Sequence, residues 1–229
     1  MTTALVTGAN KGIGLQTVRE LAAAGWTVHL GSRDPVRGKE AVAGLAGDVR
    51  LLEIDVTSEE SVAAAAASVP ELDVLVNNAG IAGDHVAVEE TGPADFLPVY
   101  GVNVLGPVRV TRAFLPHLRR SAHPVIVNVS SGLGSFGTVT DPERIESTVP
   151  GLVYASSKSA LNMITVQYAR ALPGFRVNAV DPGYTATDLN GHSGPQTLEE
   201  GARIVVELAQ VRPDGPTGGL FAVRGPLPW

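Results

Sequence analysis

The chain has 229 residues, 44% of them hydrophobic, which is enough for one α/β domain with a substantial core. It contains no cysteine, which excludes disulfides and thiolate metal sites and suits a reducing, cytoplasmic compartment. A formal net charge of −6 argues against nucleic acid as a partner, and no stretch approaches the roughly 18 uncharged apolar residues of a membrane span.

The first predicted strand is Ala4–Thr7; the residues before it carry no basic n-region, so the start reads as a strand and not as a signal peptide. Further strands are predicted at Thr27–Leu30, Val49–Ile54, Val74–Val76, Val125–Val129, Arg176–Val180 and Leu220–Val223. Helices are predicted between them, near 12–24, 35–46, 58–69, 93–120, 152–172 and 196–210. Near-continuous apolar strands alternating with helices predict a parallel sheet covered on both faces. The expected fold is therefore a single-domain, Rossmann-type α/β chain over 1–229, a doubly wound sheet that binds ligands beyond the carboxyl ends of its strands. Gly132–Gly151 and Gly183–Pro195 fit no regular element, and both follow strands on that side.

Thr7-Gly8-Ala9-Asn10-Lys11-Gly12-Ile13-Gly14 follows the first strand and opens the first helix. Glycines there let the backbone approach a pyrophosphate, and a helix N-terminus offers free amides to it. At the end of the second strand stand Ser32 and Arg33, with Arg37 one helical turn on. An NAD site places an acid there for the ribose 2′-hydroxyl, whereas arginine suits a 2′-phosphate. Lys11, Arg33 and Arg37 together favour NADPH over NAD, although Asp34 neutralises part of that charge. Asp55-Val56 ends the third strand, where a carboxylate can bond an adenine amino group, and Asn77-Asn78-Ala79-Gly80 ends the fourth.

Tyr154 and Lys158 stand four residues apart, so on a helix the ammonium can lie beneath the phenol. A neighbouring positive charge favours phenolate, and lowering a phenol from about 10 to about 7 takes roughly 4 kcal/mol. Alone, each motif has a plain structural reading as a surface helix pair, a strand-to-helix turn or solvated cations. The five histidines, His29, His85, His117, His123 and His192, show no metal-ligand spacing, and no metal is expected. His192 reads as an exposed loop residue, Ser130 as structural, Trp26 as core, and Trp229 as the cap of a subunit or pocket edge. Tyr184 reads as lining the site.

In their order these residues resemble the compact subfamily of short-chain dehydrogenase/reductases over essentially the whole chain. The matches are Thr7, Gly8, Gly12 and Gly14; Asn77 to Gly80; Asn103; Ser131; Tyr154 and Lys158; and Asp181-Pro182-Gly183 with Thr187. The interval of 23 from Ser131 to Tyr154 is longer than the family's usual spacing and marks an insertion around 138–150. With Lys11, Arg33 and Arg37, that insertion resembles the carbonyl reductase branch. The short substrate loop covers about 184–196.

The resemblance implies hydride transfer from NADPH to a small ketone or aldehyde. Tyr154 would be the proton donor, Lys158 would tune it and bind the ribose, and Ser131 would orient the carbonyl. Asn103 would hold a water that links Lys158 to solvent. The implied cofactor set is Gly8, Asn10, Lys11, Gly12, Ile13, Gly14, Ser32, Arg33, Arg37, Asp55, Val56, Asn78, Ala79, Gly80, Tyr154, Lys158, Pro182, Gly183, Thr185 and Thr187. The resemblance also implies a homo-oligomer, dimer or tetramer, in which Ala155, Ser156, Ser159 and Ala160 permit close helix packing. Longer insertions at 138–150 argue instead for a monomer. An NAD-linked alcohol dehydrogenase and a non-catalytic dinucleotide sensor are the competing readings.

Overall fold

The computed structural model describes residues 1–84 and 86–229, so His85 lies outside the described residues. In chain order the elements are β1 (Thr3–Val6), α1 (Gly12–Ala23), β2 (Thr27–Ser32), α2 (Pro35–Ala43), β3 (Asp48–Glu53), α3 (Glu59–Ser68) and β4 (Val74–Asn77). There follow α4 (Pro93–Tyr100), α5 (Gly106–Leu118), β5 (Val125–Val129), α6 (Phe136–Val139), α7 (Leu152–Ala171), β6 (Arg176–Val180), α8 (Leu198–Ala209), β7 (Leu220–Ala222) and β8 (Gly225–Leu227). The sheet order is β3-β2-β1-β4-β5-β6-β7-β8, and every pairing is parallel except β7 with β8. The order reverses between β1 and β4, which places the crevice of a doubly wound sheet at their carboxyl ends.

Strand alternation sends successive side chains to opposite faces, and two cores result. Ala4, Val6, Val28, Leu30, Val76 and Val127 pack under α1 and α8 against Val18, Leu21, Val205 and Leu208. Leu5, Leu75, Ile126 and Val177 face the other way, against Val62 of α3 and Val110, Phe114 and Leu118 of α5. The strands are thus apolar on both faces because both faces are covered. Among the described residues no helix is long and apolar enough to cross a membrane.

Three features depart from the sequence expectation. The helix predicted over 93–120 is broken by a π-helical turn, Gly101–Leu105, between α4 and α5. The insertion is not structureless: it begins in α6 and contains a 3-10 turn at Ile145–Thr148. The chain also adds an antiparallel edge strand, β8, which sequence reading missed. Pro226 is tolerated in β8 because the strand lies at the sheet edge. The residues after β8 fold back on the insertion: Gly137 N–H donates to the Trp229 carbonyl at 3.0 Å and Ser135 Oγ to the Pro228 carbonyl at 2.7 Å.

Helix starts follow from capping chemistry. Thr197 and Glu200 form a reciprocal capping box on α8, at 3.2 Å to the Glu200 amide and 2.8 Å back to the Thr197 amide. Thr197→Ala removes one of the two bonds and should cost about 1 kcal/mol. Thermal unfolding should show a Tm lower by about 2–4 °C; an unchanged Tm would mean that water replaces the cap without loss.

Candidate active site

The glycine loop is built where β1 hands over to α1. Gly8 and Gly12 both have positive φ, +61° and +59°, a region that favours glycine. Gly14 could not carry a Cβ without meeting the Asn78 amide and the Gly8 carbonyl. Lys11, the residue before α1, offers no side-chain cap, so the first amides of α1 are open to an anionic group. Thr7 Oγ1 accepts from the amides of Asn78 and Ala79 at 3.0 and 3.1 Å, and Asn78 Nδ2 donates to the Thr7 and Gly8 carbonyls. The Asn78 side chain therefore ties two loops together, and Gly80 follows, with Asn103 Oδ1 and Lys158 Nζ 3.4 and 3.7 Å from its Cβ position. This cradle of glycines and free amides fits a dinucleotide pyrophosphate.

At the end of β2 the three cations part company. Ser32 is buried and donates to the Asp34 carbonyl at 2.8 Å, so its hydroxyl faces inward. The Asp34 carboxylate caps α2, accepting from the Val36 and Arg37 amides at 2.9 and 3.1 Å, and lies 3.4 Å from Arg37 Nε. Arg33 is exposed and has no carboxylate partner within ion-pair distance among the described residues. Asp55 is held below its ordinary range: burial works against the shift, and bonds from Thr57, followed by the charges of Arg33 and Arg109, bring it down. Lys11 does not reach toward Arg33. Its ammonium pairs with Asp188 of the loop after β6 at 2.5 Å, and Asp188 also lies 2.8 Å from His192 Nε2. His192 is exposed with φ of +61°, and Tyr184, also exposed, bonds Ser193 across the same loop. Thr187 crosses over the glycine loop, its Cγ2 3.8 Å from the Cβ position of Gly12, whereas Thr185 is buried against Gly201 of α8.

Ser131, Tyr154 and Lys158 converge at the carboxyl end of β5. Ser131 caps the 3-10 turn Gly132–Gly134 by accepting from Leu133 N–H at 3.1 Å. Its neighbour Ser130 points the other way, into the interior, to Asn162. Lys158 is 4% exposed; its ammonium donates to the Val129 carbonyl at 2.8 Å and lies 5.5 Å from the Tyr154 ring centroid. Burial pulls the Lys158 ammonium down to about 8, against the opposing pull of Asp181. The phenol of Tyr154 is pushed up, not down, first by burial and then by the Asp181 charge, with a Ser131 hydrogen bond opposing both. This corrects the expectation of a phenol lowered by Lys158: desolvation of the phenolate sets the direction of the shift, and the Asp181 charge adds to it. A phenol so placed keeps its proton at neutral pH and can act as a proton donor.

Asn103 sits in the π-helical turn. Its Nδ2 donates to the Ile81 carbonyl at 2.9 Å and to Ser157 Oγ at 3.1 Å, and its Oδ1 accepts from Ile81 N–H. Both side-chain atoms are committed to positioning the β4 loop and α7, so any water relay through this residue would use its backbone. Sequence reading missed a buried chain of polar groups, Thr111–Asn77–Asn128–Thr165, that links α5, β4, β5 and α7. Asn128 interrupting the apolar run Val125–Val129 was the signal that could have found it.

A family model described as short chain dehydrogenase matches residues 2–198. Among curated proteins, (-)-isopiperitenone reductase of Mentha piperita is 34% identical, with 95% of each chain covered. Salutaridine reductase of Papaver bracteatum is 32% identical over 96% of this chain and 94% of its own. Among solved structures, the NADPH-bound carbonyl reductase from chicken fatty liver superposes with a TM-score of 0.86 at 28% identity, covering 100% of this chain and 99% of that one.

Proposed function

This chain belongs to the short chain dehydrogenase family, and from that premise we propose that it is an NADPH-dependent reductase of a small ketone or aldehyde with Tyr154 as proton donor. The observation that carries the reading is the meeting of Ser131, Tyr154 and Lys158 beside the glycine loop. A nicotinamide dinucleotide bound there supplies a hydride to the carbonyl carbon. Ser131 bonds and orients the carbonyl oxygen, and Tyr154 delivers its phenolic proton to that oxygen as negative charge develops. Lys158 binds the ribose hydroxyls and keeps a positive charge under the phenol. Gly8, Asn10, Gly12, Ile13 and Gly14 hold the pyrophosphate; Asp55 and Val56 hold the adenine; Ala79, Gly80, Pro182, Gly183 and Thr187 line the remainder. Arg33 and, once released from Asp34, Arg37 would hold the 2′-phosphate.

An NAD-linked dehydrogenase would want a free acid at the end of β2. Asp34 is the acid in that region, and its carboxylate is bonded into the start of α2. A screen of small ketones, aldehydes, quinones and α-dicarbonyls should find substrates that consume NADPH faster than NADH. Consumption of neither cofactor, or a preference for NADH, would overturn the reading. The absence of cysteine suits a cytoplasmic setting.

A homo-oligomer, dimer or tetramer, is the expected assembly. Leu97, Leu105, Leu152 and Met163 are exposed on α4, the π-helical turn and α7, and an isologous contact would bury both copies of such a patch. Ser159 does not contribute, because its hydroxyl turns inward to the Gly134 carbonyl. Light scattering at micromolar concentration should report a multiple of 23.7 kDa; a concentration-independent monomer mass would sink the expectation and point to the insertion as a cover.

A further inference from the structure

The segment that follows β8 lies against α6, and none of the chemistry above uses it. Ser135 Oγ donates to the Pro228 carbonyl at 2.7 Å, and Gly137 N–H donates to the Trp229 carbonyl at 3.0 Å. The fit is close: a Cβ on Gly137 would lie 2.7 and 2.8 Å from two ring carbons of Pro228. From α6 the contacts run on to the turn that carries Ser131. Thr138 Oγ1 donates to the Gly132 carbonyl, and Ser135 N–H donates to the same carbonyl at 3.0 Å. Both Ser135 and Thr138 are buried. The far side of the turn rests on α7 at Lys158 itself. A Cβ on Gly134 would lie 2.6 Å from the Lys158 backbone, and the Gly134 carbonyl accepts from Ser159 Oγ at 2.8 Å and from Asn162 Nδ2 at 3.0 Å.

We propose that Pro228 and Trp229 form a positioning clasp of the reduction: they hold α6 onto the Ser131 turn and so fix the Ser131 hydroxyl relative to Tyr154 and Lys158. The proposal rests on the reading of Ser131 as the group that orients the carbonyl. Ser131 is part of the turn, its carbonyl accepting from Gly134 N–H at 3.0 Å and its Oγ from Leu133 N–H at 3.1 Å. So short a turn has little apolar surface of its own, and its place depends on what lies on either side. On one side that is α7, and on the other it is α6, which is only four residues long. One helical turn is not stable by itself, and Phe136, the largest side chain of α6, is 71% exposed. Two of the bonds that anchor α6 come from the Pro228 and Trp229 carbonyls. A donor to a developing oxyanion acts through its distance to that oxygen, so a looser turn lowers the rate while the dinucleotide keeps its contacts with the glycine loop. The bland alternative is a segment that adds stability alone.

A chain lacking Pro228 and Trp229 separates the two, since the carbonyls are backbone groups that no side-chain substitution removes. With kinetics measured well below the Tm of the variant, kcat for reduction should fall by about tenfold, short of the 10²- to 10³-fold that outright loss of an oxyanion donor costs. NADPH affinity should stay nearly unchanged. Gly137→Ala in the full chain should act in the same direction, because its methyl group displaces Pro228, although alanine is the better helix former. In the shortened chain Gly137→Ala should cost nothing further, as nothing remains to displace; an equal loss in both chains would overturn the proposal. An unchanged kcat in the shortened chain, with only its Tm lowered, would make the segment a structural cover and overturn it too. Should the shortened chain fail to fold, Ser135→Ala in the full chain, which removes the bond to the Pro228 carbonyl, carries the same expectation for kcat. Failure of all three variants to fold would again leave the segment structural and sink the clasp. Amide hydrogen exchange over residues 130–140 of the protein alone should be faster in the shortened chain, and unchanged exchange there would count against the proposal decisively. That measurement needs neither substrate nor cofactor, so a wild-type protein without reductase activity would sink the functional reading and leave it standing.

Discussion

Tyr154→Phe is expected to lower the rate of carbonyl reduction by at least about 10²-fold while leaving NADPH affinity nearly unchanged, since positioned proton donors contribute factors of about 10² to 10⁴. The substitution removes one hydroxyl and keeps the ring that lies 5.5 Å from the Lys158 ammonium. Lys158 retains its bond to the Val129 carbonyl, so its position does not depend on the phenol. The loss should therefore fall on kcat, which marks an interaction made in the transition state and not in ground-state binding. Turnover kinetics beside a direct NADPH titration checks both halves. A variant with more than about a tenth of the wild-type rate would remove Tyr154 from the role of donor, and Ser131 would become the group to test.

The direction of the Tyr154 shift shapes this expectation. A phenol pushed up by burial and by Asp181 is fully protonated at neutral pH, so the donor form needs no special ionisation. The pH range of reduction should then be limited on the alkaline side more by Lys158, whose ammonium burial brings down to about 8, than by the phenol. Sequence spacing showed that Tyr154 and Lys158 would share a helix face. It could not show that Lys158 is buried and Tyr154 half-buried, so that desolvation, and not the ammonium, sets the direction for the phenol.

Much of the fold was legible because its signals are local. Apolar β-branched runs, glycine turns and helix periods placed seven of the strands and the helices between them, since a parallel sheet covered on both faces leaves an unmistakable apolar pattern. β8 was illegible because three residues including Gly225 and Pro226 carry no strand signal of their own; its partner β7 supplies the pairing. The break at Gly101–Leu105 was hidden because a π-helical turn keeps the helix direction and changes only its hydrogen-bond register. Within the site, Ser131 after β5 and Tyr154 and Lys158 of α7 come together because strand, turn and helix fix their places. Lys11 and Asp34 went differently for reasons of tertiary and capping chemistry. Asp188, the partner of Lys11, stands 177 residues away, which no local pattern encodes. Asp34 did leave a signal: an acid followed by Pro35 marks a helix start, where a carboxylate is drawn to backbone amides.

That reassignment of Asp34 and Lys11 concentrates the choice of cofactor on Arg33. Arg37 lies 3.4 Å from the Asp34 carboxylate and Lys11 is paired with Asp188, so each has a competing anion close by. Arg33 has none within ion-pair distance among the described residues and stands exposed at the end of β2. A 2′-phosphate offers a guanidinium two charge-assisted hydrogen bonds in planar geometry, and a 2′-hydroxyl does not. Arg33→Ala should therefore weaken NADPH by about 1.5–3 kcal/mol, roughly ten- to a hundredfold, and change NADH affinity little. Arg37→Ala should cost less, because the phosphate must displace Asp34 to use that guanidinium. The Arg33 effect should shrink as salt is raised, since an exposed charge pair is screened over about 10 Å at 0.1 M. Titration of both cofactors into both variants at two salt concentrations distinguishes the cases. An equal loss of NADPH and NADH on removing Arg33 would make it a structural residue of the β2–α2 turn, and the preference for the phosphorylated cofactor would then have to rest on Lys11 released from Asp188.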